Sequence, residues 1–166
     1  MFDLKRLDPE SVPAALSRAE RYRLLNEPNE AESICLDILA IDPGNQPARI
    51  TLLLALTDQF HEGAAPHSAA RDALAGLTSD YDRAYYSGIV AERRAKAQFA
   101  RAGAAATAGV YEWLTEAMRH FEHAESLRPP GNDDARLRWN ACVRFLQRHP
   151  GLREPIEERR EIEMLE

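Results

Sequence analysis

Three side chains that can bind a metal share one face of a predicted helix. Glu116, His120 and His123 follow at i, i+4 and i+7, a spacing that places them on the same side of an α-helix. Carboxylate and imidazole groups could hold a divalent cation there, but a complete site needs ligands from a second helix. None stands out, so we expect flank histidines and keep a metal-binding or enzymatic protein as the least favoured alternative.

A charged stretch nearer the amino end could instead bind an anion. It contains Glu92, Arg93, Arg94, Lys96 and Arg101. Glu92 and Lys96 stand at i, i+4, where an exposed ion pair contributes a few tenths of a kcal/mol. An anion site would need Arg93 or Arg94 directed into a groove, so the main expectation is a solvated helix face.

Aromatic side chains occur in two groups at helical spacing, Tyr81, Tyr85 and Tyr86, then Tyr111 and Trp113. Aromatics in this pattern usually pack in a core. Tyrosine and tryptophan are also favoured anchors in protein interfaces, so groove anchoring stays open beside core packing.

The remaining reactive groups give no catalytic pattern. Cys35 and Cys142 fall on apolar helix faces, where free thiols behave as small hydrophobes, so we expect reduced core residues. The sequence has no Ser/His/Asp order, glycine-rich phosphate loop or paired-cysteine metal spacing. We therefore expect a protein that is not an enzyme and uses no cofactor.

Apolar periodicity predicts the helices that position these residues. Strand-like runs of Val, Ile and Thr are missing, and the expected fold class is all-α. Prolines and Asn/Asp/Gly turns separate the apolar segments, and Gly103 and Gly109 favour a break in the Ala-rich stretch 102–109. The predicted helices span about 12–25, 29–40, 47–60, 67–77, 80–101, 110–127 and 133–148.

Two distant segments repeat one four-point spacing of +4, +3 and +5. They are Ala31, Cys35, Ile38 and Pro43, then Ala117, Phe121, Ala124 and Pro129. Residues three or four apart lie on one helix face, and a proline cannot continue the helix. Each set therefore indicates one buried stripe and its end, and the recurrence indicates a repeated structural unit.

These residues resemble the tetratricopeptide repeat (TPR) family. Residues 12–45 fit one repeat, with Tyr22 at the tyrosine position, Ala19 replacing the small glycine, and Ala15 and Arg18 departing from the tryptophan and leucine positions. The resemblance implies antiparallel helix-pair repeats, stacked as a short right-handed TPR-like solenoid. About three repeats, the middle one degenerate, would end in the C-terminal capping helix 133–148. We expect a single domain over 1–150 and a charged tail, 151–166, as a short helix or frayed end.

The same resemblance implies a non-catalytic interaction module or scaffold. In such repeats the first helix of each pair lines a concave groove, which would bind a peptide or helix of a partner protein. The implied partner-binding residues are Leu16, Glu20, Arg23, Ile50, Leu54, Asp58, Tyr85, Ile89, Glu92 and Arg93. The alternative is a self-associating structural subunit that uses helix 133–148 or the tail, so the expected state is a monomer or weak homodimer.

Composition narrows the range of partners. The chain of 166 residues has a net charge of −6 and a pI near 5.4, which disfavours nucleic acid because neutralising phosphates needs a basic face. No apolar run reaches the roughly 18 residues of a membrane span. The first residues lack the apolar stretch of a signal peptide, so we expect no membrane partner and a cytoplasmic location.

Overall fold

The computed structural model describes residues 2–63, 65–102 and 107–152. These residues form α-helices and two short 3₁₀ turns, Pro9–Ser11 and Phe60–Glu62, with no strand among them, which confirms the all-α class. The helices are α1 Val12–Leu24, α2 Pro28–Ile41, α3 Gln46–Asp58, α4 Ala65–Ala75, α5 Asp80–Ala102, α6 Thr107–Leu127 and α7 Asp134–Arg148. Most of the tail predicted at 151–166 lies outside the described residues.

Local sequence explains where the first helices begin. Each of α1, α2 and α3 carries a proline in its first turn, where the missing N–H costs no helical hydrogen bond. The Asn45 side chain also caps α3 by accepting a hydrogen bond of 2.9 Å from the Ala48 backbone N–H. These starts agree with the sequence pattern to within a residue or two.

The helix break predicted from Gly103 and Gly109 extends too far towards the carboxyl end of the chain. Helix α6 already begins at Thr107, so Gly109 lies inside it. A Cβ at Gly109 would lie 2.8 Å from Nε2 of Gln98 on α5. Gly109 therefore serves the close approach of α6 to α5 rather than a turn.

The chain divides into two compact units, Met1–Ser79 and Asp80–Glu166. In the first unit α1 packs on α2, α2 on α3 and α3 on α4, and α1 also touches α3. Helix α3 is buried on several sides, as its nearly continuous apolar sequence predicts, and Ala19 of α1 is fully buried. The expectation of one domain over 1–150 stays a prediction.

In the second unit α5 and α6 form the longest helix pair, and α7 packs on α6. Helix α7 also reaches α5, because the rings of Phe99 and Phe145 meet with centroids 5.4 Å apart and Glu92 faces Arg138. Both contacts advance by seven residues along each helix, so α5 and α7 run in the same direction.

The two predicted stripes are buried in the two units. Their six helical members, Ala31, Cys35, Ile38, Ala117, Phe121 and Ala124, all have 0% relative exposure. This confirms that each set forms one buried helix face. The stacking of the pairs as a TPR-like solenoid, with α7 as its cap, remains an expectation.

None of the helices in the described ranges combines the length and the apolar character that crossing a bilayer requires.

Replacing Gly88 by alanine tests the packing of α5 on α6. A Cβ there would lie 2.5 Å from Cε1 of the fully buried Phe121 ring. We expect Gly88→Ala to lower the free energy of unfolding by about 1–3 kcal/mol through overpacking, measured by urea denaturation. An open helix site would give the opposite sign, since alanine exceeds glycine in helix propensity by up to about 1 kcal/mol.

Gly44→Ala is the matched control for this substitution. Its Cβ would lie 3.9 Å from the nearest atom, Oδ1 of Asp42, so we expect little change. Equal effects of the two variants would contradict the close packing assigned to Gly88.

Candidate partner-binding face

Six of the predicted partner-binding residues lie on two neighbouring helices of the first unit. The α1/α3 face is defined by Leu16, Glu20 and Arg23 on α1, and by Ile50, Leu54 and Asp58 on α3. Short turns at 25–27 and 42–45 reverse the chain twice, so α1 and α3 run in the same direction. Glu20 is exposed and the other five residues are half-buried, so all six keep access to solvent.

An ion pair joins the carboxyl ends of these two helices. Nε of Arg23 donates a hydrogen bond of 2.6 Å to Oδ2 of Asp58, and the two side chains are 24% and 18% exposed. Charge-assisted hydrogen bonds of this kind are stronger than neutral ones. The pair therefore fixes α1 against α3 while leaving part of both charged groups open to water.

An acidic cleft of about 370 Å³ continues from this end of the face. The turn that forms one wall contains Asn26, whose φ of 61° places it in the left-handed region that asparagine tolerates better than most residues. The cleft is lined by Asn26, Glu27, Pro28, Asn29, Glu30, Asp58, His61 and Glu62. Sequence reasoning missed this cleft, although the density of carboxylates at 27, 30, 58 and 62 was a usable signal.

In the second unit the predicted residues separate into two groups. Ile89 and Glu92 are 1% and 0% exposed, so neither offers a surface to a partner. Tyr85 is half-buried against the rings of Tyr81, Tyr86 and Phe121. Arg93 is half-buried as well. The resemblance to TPR proteins implied that all four line one concave side, and it did not anticipate that α7 approaches α5 at Glu92.

Glu92 is a fully buried carboxylate, and the expectation of a solvated charged face is wrong at this position. Lys96 Nζ pairs with its Oε1. Its Oε2 has no hydrogen-bond partner, and Nη1 of Arg138 lies 3.6 Å away. Burying a carboxylate is costly unless cations compensate its charge. Lys96 and Arg138 supply that compensation and so allow Glu92 to be buried.

Arg138 is held in its charged form by the same cluster. Burial works against the charge, but the Glu92 carboxylate and a hydrogen bond with Tyr85 outweigh it, so the pKa of the guanidinium is raised. The arrangement thus supplies a permanent cation to the buried carboxylate and ties α7 to α5.

The predicted metal-binding residues gain no partner from a second helix. Oε1 of Glu116 and Nε2 of His120 are 3.2 Å apart, while His123 is exposed. Across the described residues, no group of three or more His, Cys, Asp and Glu side chains could hold a metal ion. The contact between Glu116 and His120 is accordingly a polar contact along one helix.

Both cysteines are free and buried, as expected. Burial, with a smaller contribution from Glu20 and Glu32, raises the pKa of the Cys35 thiol to about 12. Burial, followed by the Glu92 charge, raises the pKa of Cys142 to about 12. Since the thiolate is the nucleophile, neither residue is poised for covalent chemistry near neutral pH.

Comparison of the chain with protein-family models, curated proteins and solved structures found no match.

Because Glu92 is buried, we expect removal of the two cations to destabilise the protein more than removal of the Glu92 charge. Lys96→Met/Arg138→Met would leave Glu92 uncompensated in the core, at a cost of about 3–5 kcal/mol in the free energy of unfolding. Glu92→Gln should cost clearly less, because the side chains of Lys96 and Arg138 are 39% and 36% exposed and can turn to water. Urea denaturation of the variants measures both effects.

Adding Glu92→Leu to the double variant is the internal control. With all three charges removed, much of the lost stability should return, because no charge is then left buried. A triple variant as unstable as the double variant would show that the cations act through packing alone.

The raised thiol pKa values predict slow thiol–disulfide exchange in the folded state. At pH 8.5 an aromatic disulfide reagent should modify neither Cys35 nor Cys142, and urea should release both. In the unfolded chain the thiol pKa returns to 9.0. The stabilisation from keeping the thiols protonated is therefore complete below pH 9 and declines as the pH rises towards 12. Rapid labelling of the folded protein would contradict this assignment.

Proposed function

We propose that the protein is a non-catalytic binding module whose first unit holds a segment of a partner protein along the α1/α3 face. The observation that carries the proposal is the solvent access of Leu16, Ile50 and Leu54, three apolar side chains on two adjacent parallel helices. Covering such side chains removes apolar surface from water, which is the main driving force of association.

Spacing along the face suits an elongated partner. Ile50, Leu54 and Asp58 follow one another by about one turn, so each is roughly 6 Å further along α3. A segment laid along the helices would meet two apolar side chains and then a charged group. Peptide-binding sites commonly combine apolar pockets with a few polar groups in this manner.

The chemistry of the face favours holding a ligand over transforming one. Its strongest polar interaction joins Arg23 to Asp58, and the thiol nearest to its charges, Cys35, is buried and protonated. The resemblance to TPR proteins supports the same reading, since the first helices of such repeats line the binding surface.

Selection from a displayed peptide library tests this function without a known partner. Peptides selected on the native protein should bind the Leu54→Glu variant at least tenfold more weakly, because burying a leucine contributes about 1.5–3 kcal/mol and about 1.4 kcal/mol is a factor of ten. Calorimetric titration of each selected peptide measures the difference.

Leu36→Glu is the matched control in the same unit. Leu36 lies on α2 and is 51% exposed, but it is not part of the α1/α3 face, so its replacement should leave peptide affinity unchanged. Circular dichroism establishes that both variants keep their helices. If Leu54→Glu left peptide affinity unchanged while Leu36→Glu abolished it, binding would take place on another surface and the proposal would be wrong.

A further inference from the structure

The segment 2–8, which precedes the 3₁₀ turn at Pro9–Ser11, carries uncovered apolar side chains. It has no helical structure, and Phe2 and Leu4 are 104% and 95% exposed. Arg6 is also exposed. In an extended chain, residues two apart lie on the same side, so Phe2, Leu4, Arg6 and Asp8 share one edge, which begins apolar, apolar, cationic and ends on a carboxylate.

The α1/α3 face carries the complementary order. Along α3 it reads Ile50, Leu54 and Asp58, which is two apolar side chains followed by a carboxylate that already pairs with Arg23 of α1. The steps on α3 are about 6 Å, and the steps from Phe2 to Leu4 and from Leu4 to Arg6 are about 7 Å in an extended strand. The two edges therefore match in chemical character and in pitch.

Charge complementarity extends beyond this single pair of residues. Asp58 is shared between the α1/α3 face and the acidic cleft, where Glu27, Glu30 and Glu62 add further carboxylates. Arg23 already pairs with Asp58, so a second guanidinium entering this negative region would be attracted chiefly by Glu27, Glu30 and Glu62. Arginine suits it because its planar group can contact more than one carboxylate.

The segment cannot place Arg6 in the cleft of its own chain. The cleft lies past the far end of α1, and the 13 residues of α1 span about 20 Å. The two residues between Arg6 and the 3₁₀ turn at Pro9 bridge only about 10 Å when fully extended. Arg6 can therefore enter this cleft only on another copy of the chain.

We propose that segment 2–8 of one copy docks on the α1/α3 face of a second copy. Phe2 and Leu4 contact the half-buried apolar residues, and Arg6 enters the acidic cleft beside Asp58. Reciprocal exchange of the two segments gives a closed, self-complementary dimer. This inference rests on the proposed function, because it names the segment that the α1/α3 face binds.

Sedimentation equilibrium of the full chain tests the exchange. The native chain should show a monomer–dimer equilibrium at micromolar to submillimolar concentration. Phe2→Ser/Leu4→Ser and Arg6→Glu should each weaken the dimer at least tenfold. Lys5→Glu is the matched control, because Lys5 lies on the opposite edge of an extended segment and its charge reversal should change dimerisation several-fold less than Arg6→Glu.

A mixing experiment separates the segment from the face. The Phe2→Ser/Leu4→Ser chain keeps an intact face, and the Leu54→Glu chain keeps an intact segment. Each alone should sediment as a monomer, whereas their mixture should form a one-to-one complex through a single docking contact. A native chain that stays monomeric up to submillimolar concentration would overturn the inference. So would a dimer whose stability is unchanged by Phe2→Ser/Leu4→Ser and by Arg6→Glu.

A synthetic peptide of residues 2–8 distinguishes this failure from failure of the proposed function. If library-selected peptides bind through Leu54 while the 2–8 peptide does not bind, the face takes a different partner and only the exchange is wrong. If neither kind of peptide binds in a Leu54-dependent manner, both proposals fall.

Discussion

Helices α2 and α6 each have one side that is stable only when another helix covers it. Ala31, Cys35 and Ile38 on α2 are fully excluded from water, as are their counterparts on α6. Small residues in these stripes let helices approach closely, and burial of the larger ones supplies the apolar driving force. The placement of every other group follows from these contacts, because they decide which side of α1, α3, α5 and α7 remains open.

In both units an interaction between opposite charges joins the first and third helices. In the first unit Arg23 of α1 pairs with Asp58 of α3, and in the second Glu92 of α5 faces Arg138 of α7. The two carboxylates differ in their exposure to water. Asp58 keeps part of its surface in water, whereas Glu92 keeps none. A partly solvated ion pair can exchange water for a ligand. A fully buried carboxylate has no such access and acts only in stabilising the fold.

Sequence alone was sufficient for the features that depend on neighbours along the chain. Helix boundaries followed from prolines and turn residues, and the buried stripes followed from the three-and-four spacing. The misplaced features depend on contacts between helices. Gly109 reads as a helix breaker until Gln98 is found beside it. Glu92 reads as half of an exposed ion pair, because nothing in its local sequence reveals that Arg138 approaches from α7.

This difference in solvation also decides which predicted binding residues remain available to a partner. Docking on the second unit at Glu92 would require α7 to leave α5, which would separate the Phe99 and Phe145 rings and leave a carboxylate without Arg138. Docking on the first unit requires no helix to move, since Leu16, Ile50 and Leu54 already meet water. Association draws only on the surplus of contact energy over the cost of ordering and desolvation. The preformed face therefore has the lower cost of binding, because the first unit already leaves its apolar side chains half covered.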